Sequence, residues 1–442
     1  MSAATRSPAE LIRLTLRIQM MAALFQGSVL ASQQLVSTVA RKSLEASDFQ
    51  VMLITMVLPL CFTFSIWWGG MLRRVRNWRI LFPLLGVFGA LPMALMSLST
   101  SITVLLFLLT VFFTGQSLYI PLKNRIVQSN YPPGRRGRLF SLVSMVQAGV
   151  VLTVSWVLGH WMDAGPDNWR WLFVVIAVSG LIDRCLNGMI PIGGEARLEA
   201  QRWGRPDTEE TPAAFRFSLL GPLRDAVTEL KGNRPFLHWE LHFMLYGLSF
   251  FMILAVLPGF LVQGMGLSYA TIAVGQISLA RLGNMVSTNL FGRLHDRTNP
   301  ATYCGGVFLL LAGYPTVLLM CSLLLGTSSA LIWLLYLGFL INGVAMSGVN
   351  MAWTMSAMTF ARGNDAARYQ SIHVSLTGIR GLLGPLLGWA TTVLFGWSTA
   401  FSLAILLLLI ASWLMFRQGR GLRANPGLLQ PEQTLVALTP SP

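Results

Sequence analysis

The chain has 442 residues, 54% of them hydrophobic and only 11% charged, where an average soluble domain is about 25% charged. That balance excludes a soluble globular fold, and apolar windows of about 20 residues recur, the length a helix needs to cross about 30 Å of hydrocarbon. The formal net charge is +15, but the arginines gather at the ends of apolar runs and in alternate loops, the pattern of a membrane protein and not of a nucleic-acid binder.

Backbone polar groups in lipid must pair within their own segment, so the apolar windows read as helices. Residues 1–10 are polar or small, and Arg13 and Arg17 open the first apolar run, so no cleavable leader is expected. Twelve spans follow in chain order, with boundaries open by several residues: 14–40, 49–71, 80–99, 102–125, 139–162 and 169–190, then 236–262, 268–293, 301–325, 330–355, 369–395 and 399–416. Between the two sets, residues 191–235 hold 14 of the chain's 49 charged residues and read as a cytoplasmic linker. The expected organisation is a six-helix half over 1–190, this linker, a second six-helix half over 236–416, and a disordered cytoplasmic tail over 417–442.

The segments 73–79, 125–138, 293–297, 362–368 and 417–423 are net basic, whereas the opposite turns around Ser99, Gly264, Thr327 and Gly396 carry no charge. Both termini are therefore expected on the cytoplasmic side. The halves echo each other. Gly69-Gly70-Met71-Leu72-Arg73-Arg74 and Gly292-Arg293-Leu294-His295-Asp296-Arg297 lie about 220 residues apart, and Trp169 opening the sixth span has its counterpart in Trp397 opening the twelfth. A parallel six-plus-six repeat is the economical reading.

Gly292-x-Leu294-x-Asp296-Arg297 resembles the GxLxDR loop motif of the major facilitator superfamily, and Pro132-Pro133-Gly134-Arg135-Arg136-Gly137-Arg138 resembles that family's loop between spans four and five. The resemblance covers about residues 11–416. It implies an all-α membrane protein of twelve helices that works by alternating access, with spans eight and eleven bordering the cavity and Gly292, Asp296 and Arg297 serving conformational gating. There are departures. Arg73 or Arg74 occupies the motif's acidic position in the first half, the fourth span lacks the arginine of proton antiporters, and the fifth lacks their glycine-proline signature. These lower the case for drug/proton antiport.

Two cations stand out against the apolar background. Arg281 lies 11 residues before Gly292, about 16 Å along a helix axis, and Arg380 sits at a comparable depth in the eleventh span. A central arginine costs about 2.5–3.5 kcal/mol on an insertion scale, so each needs water or a partner. Either they line a water-filled cavity and bind an anionic group, or they pair with helix carbonyls or with Asp183 or Glu240 and fix packing. Polar stripes at helical spacing accompany them: Arg281, Asn284 and Thr288; Tyr369, His373, Thr377 and Arg380; Gln19, Gln26 and Gln33; Asn342, Met346, Asn350 and Trp353. Such stripes also arise from plain interhelical hydrogen bonding. His373 beside Arg380 can relay protons or simply bond a neighbouring helix. Asp183 and Arg184 point about 100° apart, need not pair, and read as structural.

His238 and His242 have metal-capable spacing, but no third ligand completes a site, and the segment reads as interfacial and solvated. The four cysteines read as small buried hydrophobes. No GxxxxGK[ST] loop and no nucleophile-base-orienter set occur, so neither an ATP-driven pump nor an enzyme is expected, and no catalytic residue, metal or cofactor is called for. The expected function is secondary active transport of a small organic anion or anionic amphiphile across the inner membrane by a monomer in the lipid bilayer. Arg281 and Arg380 would bind it, Asn284, His373, Asn350 and Gln26 would supply hydrogen bonds, and proton coupling is an expectation carried by the family. Export of lipophilic compounds over Met346, Met351 and Trp353, and a non-transporting receptor or assembly factor, are the alternatives.

Overall fold

The computed structural model describes residues 7–64, 78–131, 133–191, 221–324, 329–361 and 366–428, and those residues are almost wholly helical. The helices are α1 (Pro8–Gln33), α2 (Val36–Lys42), α3 (Asp48–Thr63), α4 (Trp78–Met96), α5 (Ile102–Asn130), α6 (Pro133–Asp163), α7 (Arg170–Gly188) and α8 (Gly221–Gly232). After them come α9 (Arg234–Gly259), α10 (Tyr269–Ile272), α11 (Ala280–Arg297), α12 (Pro300–Leu324), α13 (Ser329–Met351), α14 (Ala357–Thr359), α15 (Ala366–Phe395) and α16 (Trp397–Ala424). Wider π turns at Phe260–Gly264, Ala273–Leu279 and Ala352–Ser356 continue α9, join α10 to α11, and join α13 to α14.

Local chemistry sets the ends. Ser7 and Glu10 form a capping box on α1 with Pro8 in the first turn, and the side chains of Ser101, Asn233 and Ser268 accept from backbone N–H groups at the starts of α5, α9 and α10. Gly396, at φ 82°, lets α15 turn into α16 within one residue, a backbone that a side chain would strain. Prolines inside α3, α4, α9, α12 and α15 are tolerated as in other apolar bundles.

Ten helices among the described residues are long and apolar enough to cross a membrane. The described part of the second expected span is a shorter apolar helix, Asp48–Thr63, and the eighth, Tyr269–Arg297, is helical but too polar to meet the same standard. Along α11, however, Leu282, Val286 and Leu290 recur every four residues and are exposed, while Gly283, Ser287 and Phe291 one face over are buried. That is the division of a helix with one side to lipid and one to protein.

The helices gather into two compact units, residues 1–46 with 64–218 and residues 47–63 with 219–442. In the first, Phe82, Leu85, Tyr119, Leu122, Ile126 and Ile190 form a buried cluster. In the second, Phe236, Trp239, Phe243, Tyr246, Phe308 and Phe360 interlock as an aromatic core, with Tyr246 stacked on Phe308 at 4.7 Å. Helix α3 packs in this second unit, where Phe49 meets Trp389 edge-on at 5.3 Å. Three expectations lie wholly or partly outside the described residues: the first-half loop motif at 69–74, most of the linker, and residues 429–442 of the tail, whose first part corrects the expectation of disorder because α16 runs on to Ala424. The linker's last part is the amphipathic α8, whose Glu229 carboxylate accepts from the Tyr369 hydroxyl at 2.6 Å.

Candidate functional site

The charged and polar side chains inside the helices fall into three groups. The first is on α11. Arg281 is half-buried and has no hydrogen-bond or ion-pair partner among the described residues, and the side chain of Asn284 has none either. At 100° per residue, Arg281, Asn284 and Thr288 centre about 170° away from the exposed stripe Leu282, Val286 and Leu290. The guanidinium therefore faces away from the side that lipid would cover. Close helix packing holds the neighbouring buried face of Gly283 and Ser287: a Cβ on Gly343 of α13 would collide with the Ala280 carbonyl, and one on Gly283 would lie 2.8 Å from the Leu340 carbonyl oxygen. Ser347 donates to Thr288 at 3.1 Å across the same seam. Small residues thus let the helices approach closely next to the arginine.

The second group is the stripe on α15, and it turns toward α9. Tyr369 is joined to Glu229 and to Asn233, whose amide donates to its hydroxyl at 3.2 Å. His373 is fully buried and its Nδ1 lies 2.8 Å from Glu240 Oε1. A carboxylate only accepts, so Nδ1 carries the hydrogen, and Nε2 is left without a partner. Thr377 accepts from Trp353 Nε1 at 3.1 Å and from the Arg380 guanidinium. Arg380 is 1% exposed; it donates to the Phe243 carbonyl at 3.4 Å and its guanidinium carbon lies 4.8 Å over the Phe243 ring. Its stem crosses α9 at Gly247, where a Cβ would collide with it. Arg380 and His373 are thus brought together around Glu240, enclosed by aromatic rings.

This corrects the expectation that residues 238–242 are solvated. His238 is exposed, but Trp239 and Glu240 are buried because that face of α9 packs against α15, and His242 Nδ1 lies 3.0 Å from Gln418 Oε1. Asn350 of α13 is exposed and not part of the group. Met346, Met351 and Trp353 pack against the aromatic core.

The third group is in the first unit. The Asn130 amide donates to Thr15 Oγ1 at 2.9 Å, the Tyr131 hydroxyl donates to Gln19 at 2.7 Å, and Lys123 donates to Gln26. Next to this seam, Asp183 and Arg184 are both buried and do pair, with Nη1 3.7 Å from Oδ2. The 100° separation of the two Cα–Cβ directions did not anticipate that the longer arginine would fold back over its neighbour. Arg184 also donates to the Gly180 carbonyl at 2.9 Å and to Gln116, and lies over the Tyr119 ring at 4.6 Å. Asn187 donates to Asp183 Oδ1 and to the Tyr119 hydroxyl, each at 3.0 Å. Lys123 was missed because the sequence places it two residues from the basic loop opening at Arg125, where it read as one more cytoplasmic cation.

The loop motif closes α11. Gly292 is half-buried, while Asp296 and Arg297 are exposed. The motif residue that turns inward is His295, whose Nε2 lies 3.3 Å from Ser356 Oγ and whose ring meets Tyr303 edge-on. It lies beyond the span, and burial pushes its pKa below the ordinary histidine value while Asp296 opposes the shift.

A chain of long apolar helices that keeps charged side chains at their interior faces belongs to the class of multi-pass membrane carriers. A family profile described as Major Facilitator Superfamily matches residues 19–322. The chain is a member of that superfamily: a membrane transporter, not an enzyme. Solved structures of similar fold include a mutant of the nucleoside transporter NupG, at TM-score 0.71 and 12% identity over 92% of this chain and 98% of that one. A bacterial homologue of the human lysosomal transporter Spinster, inward-facing and unoccupied, gives TM-score 0.62 at 14% identity, covering 94% of this chain and 98% of its own. A POT family transporter in complex with 5-aminolevulinic acid gives 0.70 at 13% identity, covering 92% and 96%. No curated protein matches the chain in sequence.

Proposed function

We propose that this transporter carries a small organic anion or anionic amphiphile across the inner membrane by secondary active transport with alternating access. The single observation behind the reading is Arg281: a permanently charged group on the face of α11 turned away from the lipid-type stripe, with no partner among the described residues. An arginine at such depth is costly unless water or an anion reaches it, and its planar fork suits a carboxylate or phosphate. Arg380 supplies the second cation. It is buried against Phe243 and bonded to Thr377 in the described conformation, so it would meet substrate only after α15 and α9 shift. Asn284 and Asn350 supply hydrogen bonds in the second unit and Gln26 in the first, and the Glu240–His373 pair is the proton-coupling candidate. The POT family structure with 5-aminolevulinic acid bound is consistent with an acid as substrate. Twelve crossings with cytoplasmic termini complete the reading, as does a gating role for Gly292, Asp296 and Arg297.

The test is a thermal-shift screen of small carboxylates and phosphate esters on the purified protein. Saturable stabilisation is expected for at least one anion. Arg281→Ala should weaken it tenfold or more, in line with about 1.5–3 kcal/mol for a hydrogen bond to a charged group. Equal response of wild type, Arg281→Ala and Arg380→Ala, or stabilisation by cationic lipophiles alone, overturns the proposal in favour of lipophile export.

A further inference from the structure

Among the described residues, polar contacts join the first helix to the fifth and its C-terminal cap, Tyr131, and they differ in kind. Thr15 with Asn130 and Gln19 with Tyr131 are neutral pairs of the sort that fix interhelical packing. Gln26 with Lys123 is not: an ammonium, with three hydrogens to give, meets one neutral amide oxygen. Among the described residues Lys123 has no carboxylate within ion-pair distance and no other hydrogen-bond partner, its nearest opposite charge being Asp183 beyond that distance, and the amide nitrogen of Gln26 has no partner either.

The acids among this unit's described residues are accounted for. Asp183 pairs with Arg184, accepts from Asn187 and is bonded by the Tyr119 hydroxyl. Asp163 faces Lys42 at 3.8 Å, Asp167 faces Arg170 at 3.3 Å, Glu10 caps its own helix, and Glu45 is exposed in a turn. Lys123 and Arg184 are thus two interior cations sharing one interior carboxylate, which leaves the two together with one positive charge uncompensated. A surplus cation among helices is costly to keep. What the geometry offers beside Lys123 is a second donor, the free Gln26 amide nitrogen, so two adjacent groups present hydrogens with no acceptor among the described residues within bonding distance except the Gln26 oxygen itself.

We infer that Lys123 and Gln26 form an anion-binding site within the first unit that takes a carboxylate or phosphate group, with the ammonium as charge partner and the Gln26 NH2 as second donor. The site deepens the anion-carrier reading and rests on it. It assigns a role to a lysine that the sequence pattern credits only to membrane orientation.

The experiment titrates benzoate and inorganic phosphate into purified full-length protein, read by thermal stabilisation at constant ionic strength, with benzamide as the neutral control. Lys123→Gln should weaken stabilisation by at least one of the two anions tenfold or more, Lys123→Arg should stay within about threefold of wild type, and Gln26→Ala should fall between. Benzamide should respond alike in all variants. Arg281→Gln is run in parallel. Loss in Arg281→Gln with Lys123→Gln unchanged overturns this site and leaves the carrier proposal standing. The reverse outcome supports this site and removes Arg281 from the proposal. Equal losses in Lys123→Arg and Lys123→Gln, or a benzamide response that falls with them, mark a packing role and overturn the inference. No stabilisation of wild type by either anion overturns it together with the reading it rests on.

Discussion

Glu240 is the residue on which the interior of the second unit turns. It is 2% exposed, it accepts from His373, and its charge opposes that of Arg380. Removing one partner from a buried charged group leaves the others uncompensated, which costs about 3–5 kcal/mol. Glu240→Ala should therefore lower thermal stability in detergent by about that amount. Glu240→Gln keeps an oxygen for the His373 Nδ1 hydrogen and should cost less, about 1–3 kcal/mol. Differential scanning fluorimetry of the two variants checks the order, and an alanine no worse than the glutamine would mean that the carboxylate does not hold this cluster. The sequence exposed His373, Thr377 and Arg380 because each interrupts an apolar run at helical spacing. It offered Glu240 only as one of two carboxylates, beside Asp183, that could pair with a buried arginine, and could not choose between them, since the two helices are more than 130 residues apart in the chain and spacing arguments work only within one helix.

At the level of elements, spans were legible wherever apolar length alone decides. The π turns were not, because a single widened turn shifts the helical period without changing composition. The joint that positions Arg281 was equally hidden: it depends on Gly343 sitting against the Ala280 carbonyl, a contact between two helices that no periodicity reveals. Its consequence is testable. Gly343→Ala places a methyl group where backbone already stands, and since backbone cannot rotate aside the helices must separate, an overpacking cost of about 1–3 kcal/mol or more. Gly306, on α12 in the same unit, has nothing within 4 Å of an added Cβ. Gly306→Ala should be neutral or stabilising by up to about 1 kcal/mol through helix propensity. Melting temperatures of the pair check this, and a Gly343→Ala protein as stable as Gly306→Ala would sink the packing argument.

For the molecule as a whole, the number of crossings is the quantity on which sidedness depends. Ten helices among the described residues are long and apolar enough to cross, and the twelve-crossing reading adds α3 with the residues after it and the run Tyr269–Arg297. These two disputed segments lie far apart in the chain. If neither crosses, everything between them changes side while both ends of the chain stay where they are. Fusions at the termini therefore cannot distinguish the readings, and a position between the segments can. Thr100, in an exposed turn before α5, and Lys231, exposed at the end of α8, are two such positions. With cytoplasmic termini and twelve crossings, Thr100→Cys should react with a membrane-impermeant maleimide added from outside and Lys231→Cys only after permeabilisation, each in a background without the four native cysteines. The physical ground is twofold: the exposed stripe Leu282, Val286 and Leu290 needs lipid to cover it, and Arg293 and Arg297 stand at the end that positive charge keeps in the cytoplasm. Reversed labelling at both positions would remove α3 and Tyr269–Arg297 from the bilayer together, and with them the mid-membrane depth that makes Arg281 an anion site.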